Sequence, residues 1–430
     1  MPKESIQVGL IGLGTIGVGV AKILLENKEN LARRAQVPVI LKAACDLDIT
    51  TDRGVDFSTV MMTTDATEML KDSDIDVIIE VIGGVNPART FITQALKAGK
   101  HVITSNKEVI AKHGKEFLEV ARENNVNLYY EAAVGGGIPI LHGLKNSLSA
   151  NNIEEVFGIV NGTTNFILTK MTEEGADFET VLKEAQALGY AEADPTADVD
   201  GYDVAYKLSI LAGLAFNSHF SYEDIHFEGI RQITANDIAM ADAMGYVIKL
   251  VAIGIAREEN SVELRVHPVM IEKKHPLASV NDAFNAVFVS GNYIGDAMFY
   301  GPGAGELPTA SAVVGDLMDI AMENEMERSH PSMSTDFEEK KVVPIAETTS
   351  AYFLNLVVKD EAGVLAAITK ICKEYSISIC KIDQEYASGG EAGLILVTHK
   401  VCEGNMQKAL AEIKELTQVL KVNNLIRVGL

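Results

Sequence analysis

The amino-terminal stretch constrains the fold more than any other part of the chain, because an apolar strand runs directly into spaced glycines and then into a helix. Residues 6–11 form the strand, the motif Gly12-Leu13-Gly14-Thr15-Ile16-Gly17 follows, and residues 18–24 have helical periodicity. In this order the first glycine permits a tight turn, the second lets backbone approach a pyrophosphate, and the third lets the helix pack closely on the strand. We therefore predict a dinucleotide-binding domain whose cofactor contacts include Gly12, Leu13, Gly14, Thr15, Ile16 and Gly17.

The segments after this motif alternate between apolar strands and helices, which is typical of a doubly wound parallel sheet. Strands are predicted at residues 39–45, 77–82 and 101–104. Ligands of such sheets bind beyond the carboxyl ends of the strands. The further cofactor contacts that we predict at this edge are Asp46, Gly83, Ser105 and Lys107.

The end of the second strand bears on the choice of cofactor. Asp46 is placed to bind the adenosine ribose hydroxyls, which favours NAD. Arg53 or Lys42 can equally receive a 2′-phosphate, so both NAD(H) and NADP(H) stay open at this point.

Charge and length exclude several classes of protein. The formal net charge of -23 argues against nucleic acid or an anionic membrane as the main partner. No apolar run is long enough for a membrane span, and the first residues do not form a signal peptide, so we expect a cytoplasmic protein. A chain of 430 residues exceeds one ordinary core and predicts two or three domains.

The cysteines narrow the chemistry. They are Cys45, Cys372, Cys380 and Cys402, and none has the close paired spacing that holds zinc. Only Cys45 lies outside the C-terminal segment, at the adenosine end of the sheet, so catalysis through a thiol adduct lacks its nucleophile. Hydride transfer to a carbonyl remains, with lysine and carboxylate side chains moving the proton.

The stretch Asp198–Lys207 supplies such side chains. Asp203 and Lys207 are four residues apart at a predicted helix entry, which places them on one helical face. A solvated surface pair is the ordinary alternative for this spacing. Acidic residues are frequent in the preceding loop: Glu192, Asp194, Asp198 and Asp200. They form either a negative pocket for an ammonium group or an ordinary solvated loop.

Two glycine-rich loops flank this stretch. Residues 127–139 run from a strand into three consecutive glycines, whose carbonyls can chelate a hard monovalent cation with charge from Glu131; a hinge between domains is the equal alternative. Residues 301–305 form a second glycine loop before a helix at 310–320. This loop predicts a return of the chain to the first domain and a cofactor contact from Gly303.

The last 86 residues read as strand, helix, two strands, helix and strand, which is the order of a ferredoxin-like module. The fold class is therefore α/β, with a Rossmann-type doubly wound sheet, an α+β substrate and dimerisation domain, and a C-terminal ferredoxin-like domain. We predict these boundaries: 1–135 plus about 305–325 for the dinucleotide-binding domain, 136–304 for the substrate domain, 325–344 for a linker, and 345–430 for the C-terminal domain.

Taken together and in this order, the motifs resemble those of homoserine dehydrogenase in its single-function form with a C-terminal ACT domain, over essentially the whole chain. The segments that carry the resemblance are 12–17, 104–107, 131–139, 161–165, 188–195, 198–207 and 301–305, with 360–365 matching the first loop of ACT domains.

The resemblance implies reversible reduction of L-aspartate 4-semialdehyde to L-homoserine with NADPH or NADH, in the biosynthesis of threonine, methionine and isoleucine. It implies that Lys207 donates the proton to the aldehyde oxygen and that Lys107 assists at the substrate. Glu192 and Asp203 would hold the substrate, with Gly189 beside them. The sodium site of the family maps onto Glu131, Val134, Gly136 and Ile138.

The resemblance also implies regulation and assembly. An amino-acid effector, L-threonine, would bind the ACT domain at Asp360, Gly363, Val364 and Leu365. A homo-oligomer, either dimer or tetramer, is expected. Many family members carry a basic residue where this chain has Cys45 before Asp46, which leaves NAD versus NADP open. The alternatives are another amino-acid dehydrogenase, such as aspartate dehydrogenase, or a catalytically dead nucleotide or amino-acid sensor.

Overall fold

The computed structural model describes residues 3–325, 337–386 and 389–430. The chain divides into two compact units. The first contains Met1–Val156, Tyr206–Tyr222 and Asn285–Glu339, and the second contains Phe157–Ala205, Glu223–Phe284 and Lys340–Leu430. Across the described ranges, every helix is too short or too polar to cross a bilayer.

Eighteen strands occur in the described residues. They are β1 (Ile6–Ile11), β2 (Val39–Cys45), β3 (Met61–Thr63), β4 (Val77–Glu80), β5 (His101–Thr104), β6 (Leu128–Tyr129), β7 (Ile153–Ile159), β8 (His226–Phe227), β9 (Tyr246–Arg257), β10 (Ser261–Glu272), β11 (Phe284–Gly291), β12 (Gly295–Pro302), β13 (Lys341–Val342), β14 (Thr349–Lys359), β15 (Ile379–Tyr386), β16 (Glu391–Thr398), β17 (Val401–Cys402) and β18 (Val419–Val428).

The α-helices of the same ranges are α1 (Thr15–Glu26), α2 (Lys28–Ala35), α3 (Ala66–Lys71), α4 (Ala88–Lys97), α5 (Lys107–Glu123), α6 (Ile140–His142), α7 (Gly162–Glu174), α8 (Phe178–Ala187), α9 (Thr196–Val199), α10 (Tyr202–Ala215), α11 (Ala235–Ala243), α12 (Glu306–Glu325), α13 (Val364–Glu374) and α14 (Glu403–Lys414).

The first unit is built on a six-stranded sheet in the order β3-β2-β1-β4-β5-β6, with every pair parallel. The order reverses between β1 and β4, as in dinucleotide-binding folds. Close packing follows from small residues: a Cβ on Gly17 would lie 1.9 Å from the Gly12 carbonyl oxygen, and one on Gly19 would lie 2.8 Å from Glu306 O on α12. The predicted Rossmann-type sheet is confirmed.

The second unit contains a sheet that joins the middle of the sequence to its C-terminus. Long antiparallel strands β9 and β10 pair along their whole length. Beside them, β18 pairs in parallel with β10 and antiparallel with β14, and β16 and β15 follow. The C-terminal order β14-α13-β15-β16-α14-β18 confirms the predicted ferredoxin-like module.

The core of that module lies between its sheet and its two helices. Tyr352 and Leu356 of β14 are fully buried, and Ile368 of α13 and Ile413 of α14 pack against the same core. Every second residue of β14, from Tyr352 to Val358, faces this core, and core residues recur at helical spacing in α13 and α14. These two periods explain why the segments form a two-layer structure.

Several local boundaries depart from expectation; the helix predicted at 310–320, for example, is α12 (Glu306–Glu325). The apolar run at 77–82 predicted a longer strand, but β4 ends at Glu80, whose side chain binds the backbone N–H of Ile82. Pro87 predicted a helix that begins at that residue with Asn86 as its cap, whereas α4 begins at Ala88 and Pro87 is its N-cap. Residues 326–336 of the predicted linker lie outside the described residues, and the three-domain division stays a prediction.

Candidate active site

The glycine loop between β1 and α1 is open where a pyrophosphate would approach. Gly12 has a φ of +104°, and a Cβ built on Gly14 would have no atom within 4 Å. The Asp46 carboxylate accepts a hydrogen bond from the backbone N–H of Leu13 at 2.6 Å. Arg53 donates from Nε to Leu13 O at 2.9 Å. Asp46 and Arg53 therefore both hold the glycine loop.

Lys42, the other cation considered for a 2′-phosphate, is engaged elsewhere. Its Nζ lies 2.8 Å from Asp72 and 3.1 Å from Asp74. The hydrogen bond to Asp72 raises the pKa of Lys42. Of the two cations, Arg53 is the one at the glycine loop.

A buried carboxylate organises the carboxyl ends of β4 and β5. Glu80 is fully buried and accepts hydrogen bonds from Thr104 Oγ1 at 2.7 Å and Ile82 N at 2.8 Å. Asn106 then caps α5 and donates from Nδ2 to Gly84 O at 2.6 Å. Burial raises the pKa of Glu80, against these hydrogen bonds. Glu80 was missed from the sequence because it lies inside an apolar run.

This network fixes the start of α5, whose first residue is Lys107. One turn later, Lys112 Nζ lies 5.4 Å from the centroid of the Tyr206 ring and 5.7 Å from that of Tyr222. Within the first unit, the Lys112 side chain of α5 therefore reaches the ring of Tyr206 on α10. The two lysines predicted to act on the substrate, Lys107 and Lys207, belong to α5 and α10 respectively.

In the second unit, Asn161 joins two of the predicted acidic residues. Its Oδ1 accepts from Thr164 N at 2.8 Å and caps α7. Its Nδ2 donates to Asp198 Oδ1 at 2.7 Å and to Asp203 Oδ2 at 2.8 Å. Asp203 is buried at the start of α10. In the sequence Asn161 stood out only as part of the motif at 161–165, and nothing there predicted an amide that bridges two carboxylates.

The substrate residues predicted from the 188–195 motif lie at the end of α8. Gly189 has a φ of +79° after the helix, and Glu192 is exposed. Tyr190 O accepts from Thr163 Oγ1 at 2.6 Å, and its ring packs 4.7 Å from Phe166 on α7. These contacts attach the loop of Gly189 and Glu192 to the helix that Asn161 caps.

Two glycines of the triplet in the first unit have a left-handed backbone conformation. Gly135 and Gly136 have φ values of +72° and +55°, and a Cβ on Gly136 would lie 2.4 Å from Gly303 O. The two glycine-rich loops therefore touch, with Gly137 N donating to Pro302 O at 3.1 Å. Val134 and Ile138 flank the triplet and are buried.

Glu131 has a role that was not predicted. Its carboxylate accepts from Leu141 N at 2.9 Å and His142 N at 2.7 Å, so it caps α6. His142 Nε2 lies 2.9 Å from Asp316 on α12. Burial raises the pKa of Glu131 to about 7 and that of Asp316 to about 6. Burial alone would lower the pKa of His142, but Asp316 and Glu131 raise it.

The loop predicted to bind an effector begins at the end of β14. Asp360 N donates to Gly390 O at 2.9 Å, and Gly363 precedes α13 with a φ of +99°. Leu365 is 37% exposed, whereas Val364 is only 6% exposed and packs in the module core. Of the predicted effector residues, Val364 is thus the one with a structural packing role.

Comparison with known proteins shows which family this chain belongs to. Residues 139–318 match the family model described as homoserine dehydrogenase, residues 12–131 match its NAD-binding domain, and residues 352–418 match the ACT domain. Among full-length relatives, the homoserine dehydrogenase of Bacillus subtilis is 42% identical over 428 residues, which cover 99% of this chain and 98% of the relative.

Solved structures agree. The crystal structure of a homoserine dehydrogenase from Thiobacillus denitrificans has a TM-score of 0.93 at 42% identity and covers 99% of this chain and 98% of its own. A hyperthermophilic archaeal homoserine dehydrogenase in complex with NADPH has a TM-score of 0.64 at 26% identity, covering 77% of this chain and 100% of its own.

Proposed function

The chain belongs to the homoserine dehydrogenase family, and from that premise we propose that Lys207 is the proton donor of its reaction. The enzyme is an NAD(P)-dependent oxidoreductase that reversibly reduces L-aspartate 4-semialdehyde to L-homoserine. When bound, the reduced nicotinamide supplies the hydride. Negative charge then develops on the aldehyde oxygen, where a nearby ammonium stabilises it and donates a proton. In the oxidation of homoserine the same amine accepts the proton.

The other polar residues orient the substrate. Lys107 assists at the substrate from the start of α5. Glu192 and Asp203 hold the substrate, with Glu192 towards its amino group and Gly189 in the same loop as Glu192. Asn161 supports this proposal because one amide group donates to both Asp198 and Asp203 and so fixes their orientation. That double hydrogen bond is the observation on which the substrate site rests most directly.

The cofactor residues fit a dinucleotide. Gly12, Leu13, Gly14, Thr15, Ile16 and Gly17 present an open loop at a helix N-terminus, and Gly83, Ser105, Lys107 and Gly303 complete the proposed contacts. Asp46 favours a free ribose, while Arg53 beside it offers a cation to a 2′-phosphate. We propose use of both NAD(H) and NADP(H), with Arg53 setting the ratio.

A monovalent cation, sodium, is proposed at the glycine triplet. Glu131, Val134, Gly136 and Ile138 would hold it, and backbone carbonyl oxygens suit a hard cation. The consecutive left-handed glycines and the tight approach of Gly136 to Gly303 support the assignment. When bound, the cation stabilises this loop arrangement. Dialysis into cholinium buffer is expected to lower the thermal midpoint, which added NaCl but not LiCl restores.

Regulation and assembly complete the proposal. The ACT module would bind an amino-acid effector, L-threonine, at Asp360, Gly363, Val364 and Leu365. We further propose a cytoplasmic homo-oligomer, either dimer or tetramer. Tyr293, Ile294 and Tyr300 around β12 expose large apolar side chains in the first unit, which supports an assembly surface there.

The assay that tests the proposal follows the oxidation of NADH and of NADPH with L-aspartate 4-semialdehyde, with and without L-threonine. Turnover with both cofactors and inhibition by L-threonine are expected. The Arg53→Ala variant is expected to lose NADPH turnover more than NADH turnover. Absence of turnover with either cofactor would sink the assignment, and full activity in saturating L-threonine would reject the effector.

A further inference from the structure

The last strand of the ACT module carries a buried arginine that belongs to no proposed site. Arg427 of β18 is 4% exposed and binds two carboxylates. It donates from Nε and Nη2 to Glu403 at 2.8 and 2.9 Å, and from Nη1 and Nη2 to Glu228 at 3.0 and 2.9 Å. Both contacts are bidentate, which fixes the planar guanidinium against both partners.

The two partners come from different parts of the sequence. Glu403 starts α14 of the ACT module and is buried. Glu228 follows β8 in the middle of the chain, and 40% of its side chain is exposed. Burial would raise the pKa of Glu228, but hydrogen bonds from His226 and Arg427 outweigh it, so this pKa lies below its usual range. Arg427 therefore ties the ACT module to the segment after β8 through an ionised carboxylate.

The segment after β8 packs by its backbone on the turn between α9 and α10. A Cβ on Gly229 would lie 2.0 Å from Val199 O and 2.5 Å from Asp200 Cα. Ile230 N donates to Val199 O at 2.8 Å. Side chains add to this contact, since Arg231 Nε binds Asp200 Oδ1 at 2.6 Å. The turn is therefore packed and hydrogen-bonded directly against residues 229–231.

The two carboxylates that Asn161 bridges lie on either side of that turn. Asp198 precedes it and Asp203 follows it, with Gly201 at a φ of +92° between them. The ring of Tyr202, the first residue of α10, packs 4.6 Å from Phe227 of β8. A continuous set of contacts within the second unit thus runs from Arg427 through Glu228 and Gly229 to Asp198 and Asp203.

We propose that Arg427 is a positioning residue for the substrate: through Glu228 and Gly229 it holds the turn that orients Asp198 and Asp203. The inference rests on the proposed role of Asp203 in substrate binding. It links the ACT module structurally to the carboxylates of Asp198 and Asp203. Loss of the link is expected to weaken binding of homoserine without affecting binding of the nicotinamide cofactor.

The test uses the full chain with Glu228→Gln, which keeps the side-chain volume but removes the negative charge that pairs with Arg427. Glu272→Gln is the matched control, because Glu272 lies on β10, is 47% exposed and pairs with Lys274 at 2.7 Å. The kcat, the KM for L-homoserine and the KM for NADP+ are measured with the thermal midpoint. We expect Glu228→Gln to raise the KM for homoserine about three- to tenfold and to leave that for NADP+ within about twofold.

A second variant reaches the turn without changing the ion pair. Gly229→Ala places a methyl group against Val199 O, and it is expected to raise the KM for homoserine while Arg427 and Glu228 stay paired. A homoserine KM in both variants equal to that of Glu272→Gln, even with a lower thermal midpoint, would overturn the proposal and leave Arg427 a structural residue.

Asp203→Asn, assayed in parallel, separates this inference from its premise. A raised homoserine KM in Asp203→Asn with an unchanged one in Glu228→Gln contradicts the positioning role alone. An unchanged KM in Asp203→Asn contradicts the proposed substrate role, and the positioning role with it. Raised values in both variants support both.

Discussion

At the scale of single residues, the structure adds partners that spacing does not reveal. The four-residue interval between Asp203 and Lys207 predicted that both lie on one helix, and both lie on α10. Asn161, by contrast, is 37 residues from Asp198 and 42 from Asp203, and no local pattern predicts an amide that donates to both. Hydrogen bonds between distant residues depend on the tertiary fold, which the sequence presents only indirectly.

Asn161→Ala tests that amide. The change removes the cap of α7 and both donors to the carboxylates, so kcat/KM for homoserine is expected to fall about tenfold or more. Asp177→Ala is the matched control, since Asp177 caps α8 through Thr180 N at 2.9 Å and touches neither carboxylate. Both variants should lose about 1 kcal/mol of stability. Equal kcat/KM values in the two variants would reject the role of Asn161 in the site.

A second residue, Lys249, predicts a pH dependence of stability. It is 3% exposed and donates to Asn165 Oδ1, Val280 O and Asn281 Oδ1 at 3.0, 2.6 and 3.2 Å. Burial lowers the pKa of Lys249 from its ordinary value of 10.5 to about 8. Between these two pKa values Lys249 is protonated in the unfolded chain but not in the folded one, so the free energy of unfolding should rise with pH across that range. Below the folded pKa, the full cost of burying the charged lysine remains.

The measurement is the free energy of unfolding of the wild type and of Lys249→Met between pH 7.5 and roughly 10. The difference should shift in favour of the wild type as the pH rises. Lys274→Met is the control, because the Lys274 side chain is 85% exposed. A difference that stays constant with pH for Lys249→Met would show that the folded state does not depress the pKa of Lys249.

At the scale of elements, periodicity and glycine spacing predicted most of the helices and strands. The strands at 6–11, 39–45 and 101–104 coincide with β1, β2 and β5, because apolar strands bounded by glycine or polar residues have clear limits. Glu80 shows why the predicted strand was too long: this carboxylate inside an apolar run accepts a hydrogen bond from the backbone N–H of Ile82, and β4 ends at Glu80.

Gly17→Ala tests the packing at the first helix. The added Cβ would meet Gly12 O at 1.9 Å and push α1 away from the glycine loop. Overpacking of this kind costs about 1–3 kcal/mol, and a displaced helix N-terminus binds phosphate less well. The dissociation constant for NADPH, measured by fluorescence titration, is expected to rise about tenfold or more. Gly315→Ala, where a Cβ meets nothing within 4 Å, should bind as the wild type does. Equal affinity in both variants would contradict the assignment.

At the scale of the whole molecule, the pairing of β18 with β10 changes how the ACT module is understood. Sequence order predicted a separate C-terminal domain after a linker. That division stays a prediction, and in the structure Val269 and Met270 of β10 pair with Arg427 and Val428. The paired residues are 158 positions apart in the sequence, and no periodic pattern links them, so only the folded chain reveals the pairing.

Deleting residues 345–430 should therefore do more than remove an effector site. It would expose the edge of β10 and leave Glu228 without Arg427, so the truncated chain is expected to aggregate or to melt well below the full chain. Thermal unfolding and light scattering check this outcome. A truncated chain that melts at the wild-type temperature would mean that β18 contributes little to the second unit.

The central claim, that Lys207 moves the proton of a homoserine dehydrogenase, is tested most directly by single-turnover reduction of L-aspartate 4-semialdehyde with bound NADPH in Lys207→Ala. The account predicts a rate at least about 100-fold below that of the wild type, with an unchanged dissociation constant for NADPH. A rate near that of the wild type would contradict it.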